Sequence, residues 1–139
     1  MGAISRSRCR ELALQMLYQA EFIGKPGLDE ITRFWEHFQK GQPTPDFLKD
    51  LVLGVAAHQE KLDALISRHS EHWRLERMVA VDRNLLRLAT YELIHHPEIP
   101  VKVVINEAVE LAKRYGTDES GAFVNGLLDR IRLALGREI

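Results

Sequence analysis

The sequence predicts an all-α protein, and three observations carry that expectation. Apolar residues recur at helical spacing along almost the whole chain, no short stretch alternates apolar and polar between turn signals, and the prolines fall outside the periodic segments. At 139 residues, 45% hydrophobic and 28% charged, the chain has the size and balance of one compact domain spanning 1–139. That balance argues against a disordered or collagen-like chain, and the length argues against a second, cofactor-binding domain.

The elements follow in order. From about Ser5 to Phe22, the residues Cys9, Leu12, Ala13, Met16, Leu17 and Ala20 form one apolar stripe, which Gly24, Pro26 and Gly27 terminate. Leu28, Ile31, Phe34, Trp35 and Phe38 predict a short amphipathic helix ending near Gly41, and Pro43-Thr44-Pro45 reads as a rigid turn. From Asp46 onward, Phe47, Leu48, Leu51, Val52, Val55, Leu62, Leu65 and Ile66 keep helical phase, which allows one long helix or two with a break near His58. A link around Trp73 and Arg74 leads to a helix over Val81 to Ile94, closed by His95, His96 and Pro97. Pro100 stands at or just before the first turn of the next helix, where its fixed φ and missing N–H cost nothing, and Gly116 ends that helix. The last helix is expected to start at Thr117, whose hydroxyl is suited to capping, with Asp118 and Glu119 where the helix dipole favours negative charge. Six or seven helices result.

Several chemistries lack their residues. Cys9 is the single cysteine, so it forms no internal disulfide and no thiolate cluster, which suits the cytoplasm. The glycines are scattered rather than grouped in a phosphate-binding loop. His69 with His72, and His95 with His96, lack the Glu or Cys partners that zinc spacing requires, so no metal or other cofactor is expected. No apolar run reaches the ~18 residues of a membrane span. Glu107 and Glu110 share a face with Lys113 and Arg114 at the spacing of ordinary stabilising pairs. No catalytic group emerges, and the chain reads as a non-enzyme.

Charge is more informative by position than in total. The formal net charge is −1, yet Arg6, Arg8 and Arg10 place three positive charges before the first acid, Glu11. The remaining sixteen basic and twenty acidic residues leave −4, so a basic end is joined to an acidic body. Chain starts fray, and flexible arginines can converge on a phosphate backbone; three of them predict a log-affinity against log-salt slope of about −2 on a single strand. Tyr18 lies two turns beyond Arg10, while Tyr115 and Phe123 flank the segment from Gly116 to Ser120. Aromatic rings beside arginines suit unstacked RNA bases.

The segment Arg8-Cys9-Arg10-Glu11-Leu12-Ala13-Leu14-Gln15-Met16-Leu17-Tyr18 is the first of several that carry a resemblance. It is followed by Val81-Asp82-Arg83, by Leu85-Leu86-Arg87-Leu88-Ala89 with Tyr91-Glu92-Leu93, by KVVINEAVELAKRYGTDES over 102–120, and by FVNGLLD over 123–129. In this order they resemble the NusB transcription antitermination factors nearly end to end, apart from Phe22 to Thr44 and the last few residues. The resemblance implies two packed three-helix bundles and no enzymatic activity. It implies binding to single-stranded boxA RNA of ribosomal RNA leader transcripts, together with the ribosomal protein NusE, in an antitermination complex on RNA polymerase.

Carried over by residue, the resemblance assigns RNA binding to Arg6, Arg8, Arg10, Tyr18, Tyr115, Glu119 and Phe123, and the NusE-facing surface to Glu76 and Asp82. Ser7 and Cys9 interrupt the arginines, and Ala122 stands where a basic residue would assist. The resemblance also allows a homodimer of the free protein that buries its RNA-facing surface. Two other readings are an RNA-binding part related to ribosomal RNA cytosine methyltransferases, and a helical self-association module. The first lacks any methyltransferase motif in this chain.

Overall fold

The computed structural model describes residues 4–71 and 74–139, so His72 and Trp73 lie outside the described residues. Among the described residues there are six α-helices and one 3-10 turn: α1 Arg6–Ile23, α2 Leu28–Glu36, α3 Asp46–His69, the 3-10 turn Leu75–Arg77, α4 Ala80–His95, α5 Val101–Tyr115 and α6 Ser120–Ala134. No strand occurs among the described residues. The chain divides into two compact units, 1–57 and 58–139, with the division falling inside α3.

In the first unit, α1 opens on Ser5, whose side chain accepts a hydrogen bond from the Arg8 N–H at 3.1 Å. That satisfies one of the N–H groups a helix start leaves without a backbone partner. The expected stripe of Cys9, Leu12, Ala13, Met16 and Leu17 is buried, and Gly24 ends the helix with a φ of 98° that disfavours any side chain. In α2 the Glu30 carboxylate accepts from the Gly27 N–H at 2.6 Å. The buried face of α2 is narrower than the periodicity suggests: Ile31 and Trp35 are buried, whereas Leu28 and Phe38 are exposed. The helix also stops at Glu36 rather than near Gly41, and the Trp35 indole N–H donates to the Gln42 carbonyl across the following turn at 3.0 Å.

The break considered near His58 does not occur. Helix α3 is continuous through Asp46–His69, burying Leu48, Leu51, Val52, Val55, Leu62 and Ile66 on one face.

In the second unit, α4, α5 and α6 pack pairwise against one another. Leu85, Leu86, Leu88, Ala89 and Leu93 from α4 meet a core that includes Val104, Ile105, Leu111, Val124, Leu127 and Ile131, all buried. Arg87, itself buried, donates to both carboxylate oxygens of Asp63 on α3, at 2.7 and 3.0 Å, and also donates to Asn84 at 3.2 Å. Arg137 closes the other end, donating to the Leu93 and Ile99 carbonyls at 2.5 and 2.9 Å. Pro100 is the N-cap of α5, as expected, but α6 begins at Ser120 with Glu119 as its N-cap instead of starting at Thr117. The Thr117 hydroxyl accepts from the Glu119 N–H at 3.3 Å, so it organises the preceding turn rather than the helix.

Removing one partner of a buried pair leaves an uncompensated charge. Asp63→Ala is expected to cost about 3 kcal/mol of unfolding free energy, the low end for buried pairs because Asp63 retains some solvent. Urea titration monitored by circular dichroism measures it.

Candidate nucleic-acid interface

The arginine-rich start is a capped helix, not a frayed tail. Arg6 and Arg10 lie one turn apart, with their guanidinium groups 4.9 and 5.3 Å from the centre of the same Phe47 ring. Arg8 faces elsewhere: it sits 5.5 Å from the Phe38 ring and pairs with Glu11 at 2.5 Å. A cation over an aromatic face gains ~0.5–1 kcal/mol at exposed sites. The three cations are therefore held in fixed places rather than free to converge. They also differ in access, because Arg6 is exposed and Arg8 half-exposed, whereas Arg10 is only 5% exposed. Of the three arginines expected to meet phosphates, Arg6 presents the accessible charge, Arg8 shares its charge with Glu11, and Arg10 packs on Phe47.

Further along α1, Tyr18 is 41% exposed and its ring lies 5.6 Å from that of Phe22, which is more exposed still. Phe22 was not among the expected site residues. The signal available for it was the four-residue spacing from Tyr18, which stacks two side chains on one helix face.

The second unit carries the other expected group. Tyr115, the last residue of α5, is 41% exposed, with the Arg114 guanidinium 5.8 Å from its ring centre. The chain then turns through Gly116. A Cβ there would fall 2.6 Å from Ser120 Cβ and 2.8 Å from the Ala112 carbonyl oxygen, so only glycine lets α6 start this close to the end of α5. The Thr117 N–H donates to the Ser120 hydroxyl oxygen at 2.9 Å, and this tight turn leaves Glu119 exposed. Phe123 stands one turn into α6, half-buried, with its N–H bonded to the Glu119 carbonyl. The structure thus brings Tyr115, Glu119 and Phe123 together at one helix junction.

Lys113 joins them. A Cβ on Gly121 would lie 3.1 Å from Lys113 Cγ and 3.4 Å from its Cε, so the aliphatic stem of Lys113 runs across Gly121 at the start of α6. The i,i+4 pattern suggested only helix stabilisation for this lysine, because its place beside α6 depends on the turn. It supplies a cation next to Ala122, where the sequence lacks one.

The two residues assigned to a protein partner separate. Glu76 is exposed on the 3-10 turn, and that turn is held by Arg83 of α4, whose guanidinium donates to the Leu75 and Met78 carbonyls at 3.1 and 2.6 Å. Asp82 is only 7% exposed. One carboxylate oxygen, Oδ1, has no hydrogen-bond partner. Asp82 therefore does not present an exposed charge. Burial raises its pKa from the ordinary carboxylate value, and the Ser120 side chain offsets part of the rise.

No group of three or more His, Cys, Asp or Glu among the described residues could hold a metal ion. Nor is any described helix long and apolar enough to cross a membrane.

The fold and these groups define a class: a strand-free protein, over its described residues, whose cationic and aromatic side chains gather on α1 and at the α5–α6 junction. The chain belongs to the NusB family, whose model matches residues 7–132. It is 46% identical over 133 residues to the transcription antitermination protein NusB of Desulfatibacillum aliphaticivorans, covering 96% of this chain and 93% of that one. Among solved structures, T. maritima NusB superposes with a TM-score of 0.82 at 41% identity, covering 94% of this chain and 92% of that one. A crystal structure of the antitermination factors NusB and NusE in complex with double-stranded RNA contains a chain that matches with a TM-score of 0.79 at 30% identity, covering 94% and 99%.

Because the folded-state pKa of Asp82 is raised, its stabilising contribution is complete below the ordinary carboxylate pKa and is lost as pH rises through the raised value. The melting temperature of Asp82→Asn relative to the parent protein is therefore expected to shift upward between pH 4 and pH 7. Thermal melts of both proteins across that range measure the shift; a constant difference contradicts it.

Proposed function

We propose that this protein is a non-enzymatic, cytoplasmic transcription antitermination factor that binds boxA RNA of ribosomal RNA leader transcripts jointly with NusE, in a complex on RNA polymerase. The likeness to the NusB–NusE–RNA complex over nearly the whole chain carries the reading. Exposed arginine and aromatic side chains at the positions expected for RNA contact support it.

Electrostatics and stacking divide the work. Arg6 and Lys113 are exposed cations suited to phosphates, while Tyr18, Tyr115 and Phe123 offer ring surface to bases, worth ~1–3 kcal/mol per stacked base. Unpaired bases exploit such rings best, because bases in a duplex are already stacked. The boxA strand is therefore read as single-stranded where it meets this protein. Few cations are available, so binding by the isolated protein is modest, and a basic ribosomal protein docked on the acidic body completes the affinity. Glu76, on its exposed turn, belongs to that docking surface.

Two measurements test this reading. A boxA-like single strand titrated with the protein is expected to bind more tightly when NusE is present, and more tightly than a matched duplex; equal affinities with and without NusE contradict a joint site. Arg6→Ala and Lys113→Gln are each expected to flatten the log–log salt slope by about 0.7, the effect of one phosphate contact on a single strand, with little change in melting temperature. Arg10→Ala is expected to lower the melting temperature instead, because it strips a buried group from Phe47.

A further inference from the structure

We propose that the groove between α1 and α2 binds an unpaired nucleotide and so extends the RNA contact along α1; the proposal rests on the RNA-binding reading above.

The groove lies within the first unit and has a volume of about 860 Å³, inside the ~300–1,000 Å³ range of small-ligand sites. Gln15 and Gln19 line it from α1, Arg33 and Phe34 from α2, Lys25 from the link between the helices and Phe38 from the turn that follows. All of these except the glutamines fall between Phe22 and Thr44, where the sequence carries no family motif, so the resemblance gives them no role.

Three kinds of group meet there, and they match the parts of a nucleotide. Gln15 and Gln19 stand one helical turn apart, and among the described residues neither side chain has a hydrogen-bond partner. Each amide offers both a donor and an acceptor, the combination that reads the edge of an unpaired adenine. Phe38 is 41% exposed, with its ring centre 5.1 Å from that of Phe34, and supplies apolar surface for a base. Lys25 is exposed and has no ion pair among the described residues. Glu30, the acid lining the groove, is already engaged: its carboxylate accepts from the Gly27 N–H at 2.6 Å and from Arg33 at 3.0 Å. The uncompensated charge is therefore positive and suits a phosphate. Continuity with α1 favours RNA over an acidic protein segment. The Arg8 guanidinium reaches to 5.5 Å from the Phe38 ring, and exposed Tyr18 directly precedes Gln19. A strand passing over that face of α1 has the groove as its next contact.

The test compares a boxA-like single strand with the same strand carrying four extra adenosines at its 5′ or its 3′ end, by fluorescence anisotropy with the full chain. One extended strand is expected to bind about tenfold more tightly than the core strand, the low end for one stacked base. Gln19→Ala, Lys25→Gln and Phe38→Ala are each expected to cut that gain to about threefold or less. Lys25→Gln also flattens the salt slope of the extended strand by about 0.7. An abasic extension, which keeps the phosphates without the bases, is expected to lose most of the gain. Lys102→Gln, exposed on α5 and outside the groove, is expected to leave it unchanged. Thermal melts identify a Phe38→Ala variant that fails to fold; the exposed Gln19 and Lys25 variants then carry the comparison. In amide NMR spectra, tetra-adenosine alone is expected to shift the Gln15, Gln19 and Lys25 signals. Equal affinities of core and extended strands, or a gain that survives the Gln19 and Lys25 changes, overturn the proposal. An acidic helical peptide that shifts these signals when tetra-adenosine does not overturns it in favour of protein docking. Absence of boxA binding with the tetra-adenosine shifts retained overturns the antitermination reading and leaves the nucleotide site standing.

Discussion

The buried Ser120 hydroxyl is the contact on which the organisation of the second unit's surface turns. It accepts from the Thr117 N–H, so a single oxygen ties the start of α6 to the preceding turn. Around it, Gly116 removes the side chain that would push α5 and α6 apart. Tyr115, Glu119 and Phe123 lie at one helix junction only because that approach is permitted. Lys113 gains its place across Gly121 by the same closeness.

The first unit solves a different problem. Arginines at a chain start are attractive to phosphates but carry a high entropic cost when immobilised. Here the Ser5 cap and the Phe47 and Phe38 rings place all three before any ligand arrives. Preorganisation lowers the cost of binding, yet it also commits Arg10 to packing and Arg8 to Glu11. The accessible positive charge is consequently smaller than a count of arginines implies.

Much of the fold was legible because helical periodicity reports burial directly: the stripes of α1, α3 and α4 were read from spacing alone. The junction was legible in part. Tyr115, Glu119 and Phe123 were found from position and resemblance, but Lys113 was read as a helix-stabilising residue, since its neighbour Gly121 belongs to the next helix. Phe22 was passed over because its segment has no distinctive motif, although its spacing from Tyr18 was visible. Asp82 was assigned to a partner-facing surface from the resemblance, and its burial was not legible in the local sequence.

The sequence by itself determined the helical class, the approximate extent of each helix, the absence of a nucleotide-binding glycine loop and the division of charge between a basic start and an acidic remainder. These depend on residues near one another in the chain, where 3.6-residue periodicity, capping and proline geometry act. Tertiary structure decided which charges meet solvent. Arg6 remains accessible while Arg10 packs on Phe47, and Glu76 is displayed while Asp82 is buried. Access and desolvation are set by groups distant in sequence, and no local pattern encodes them.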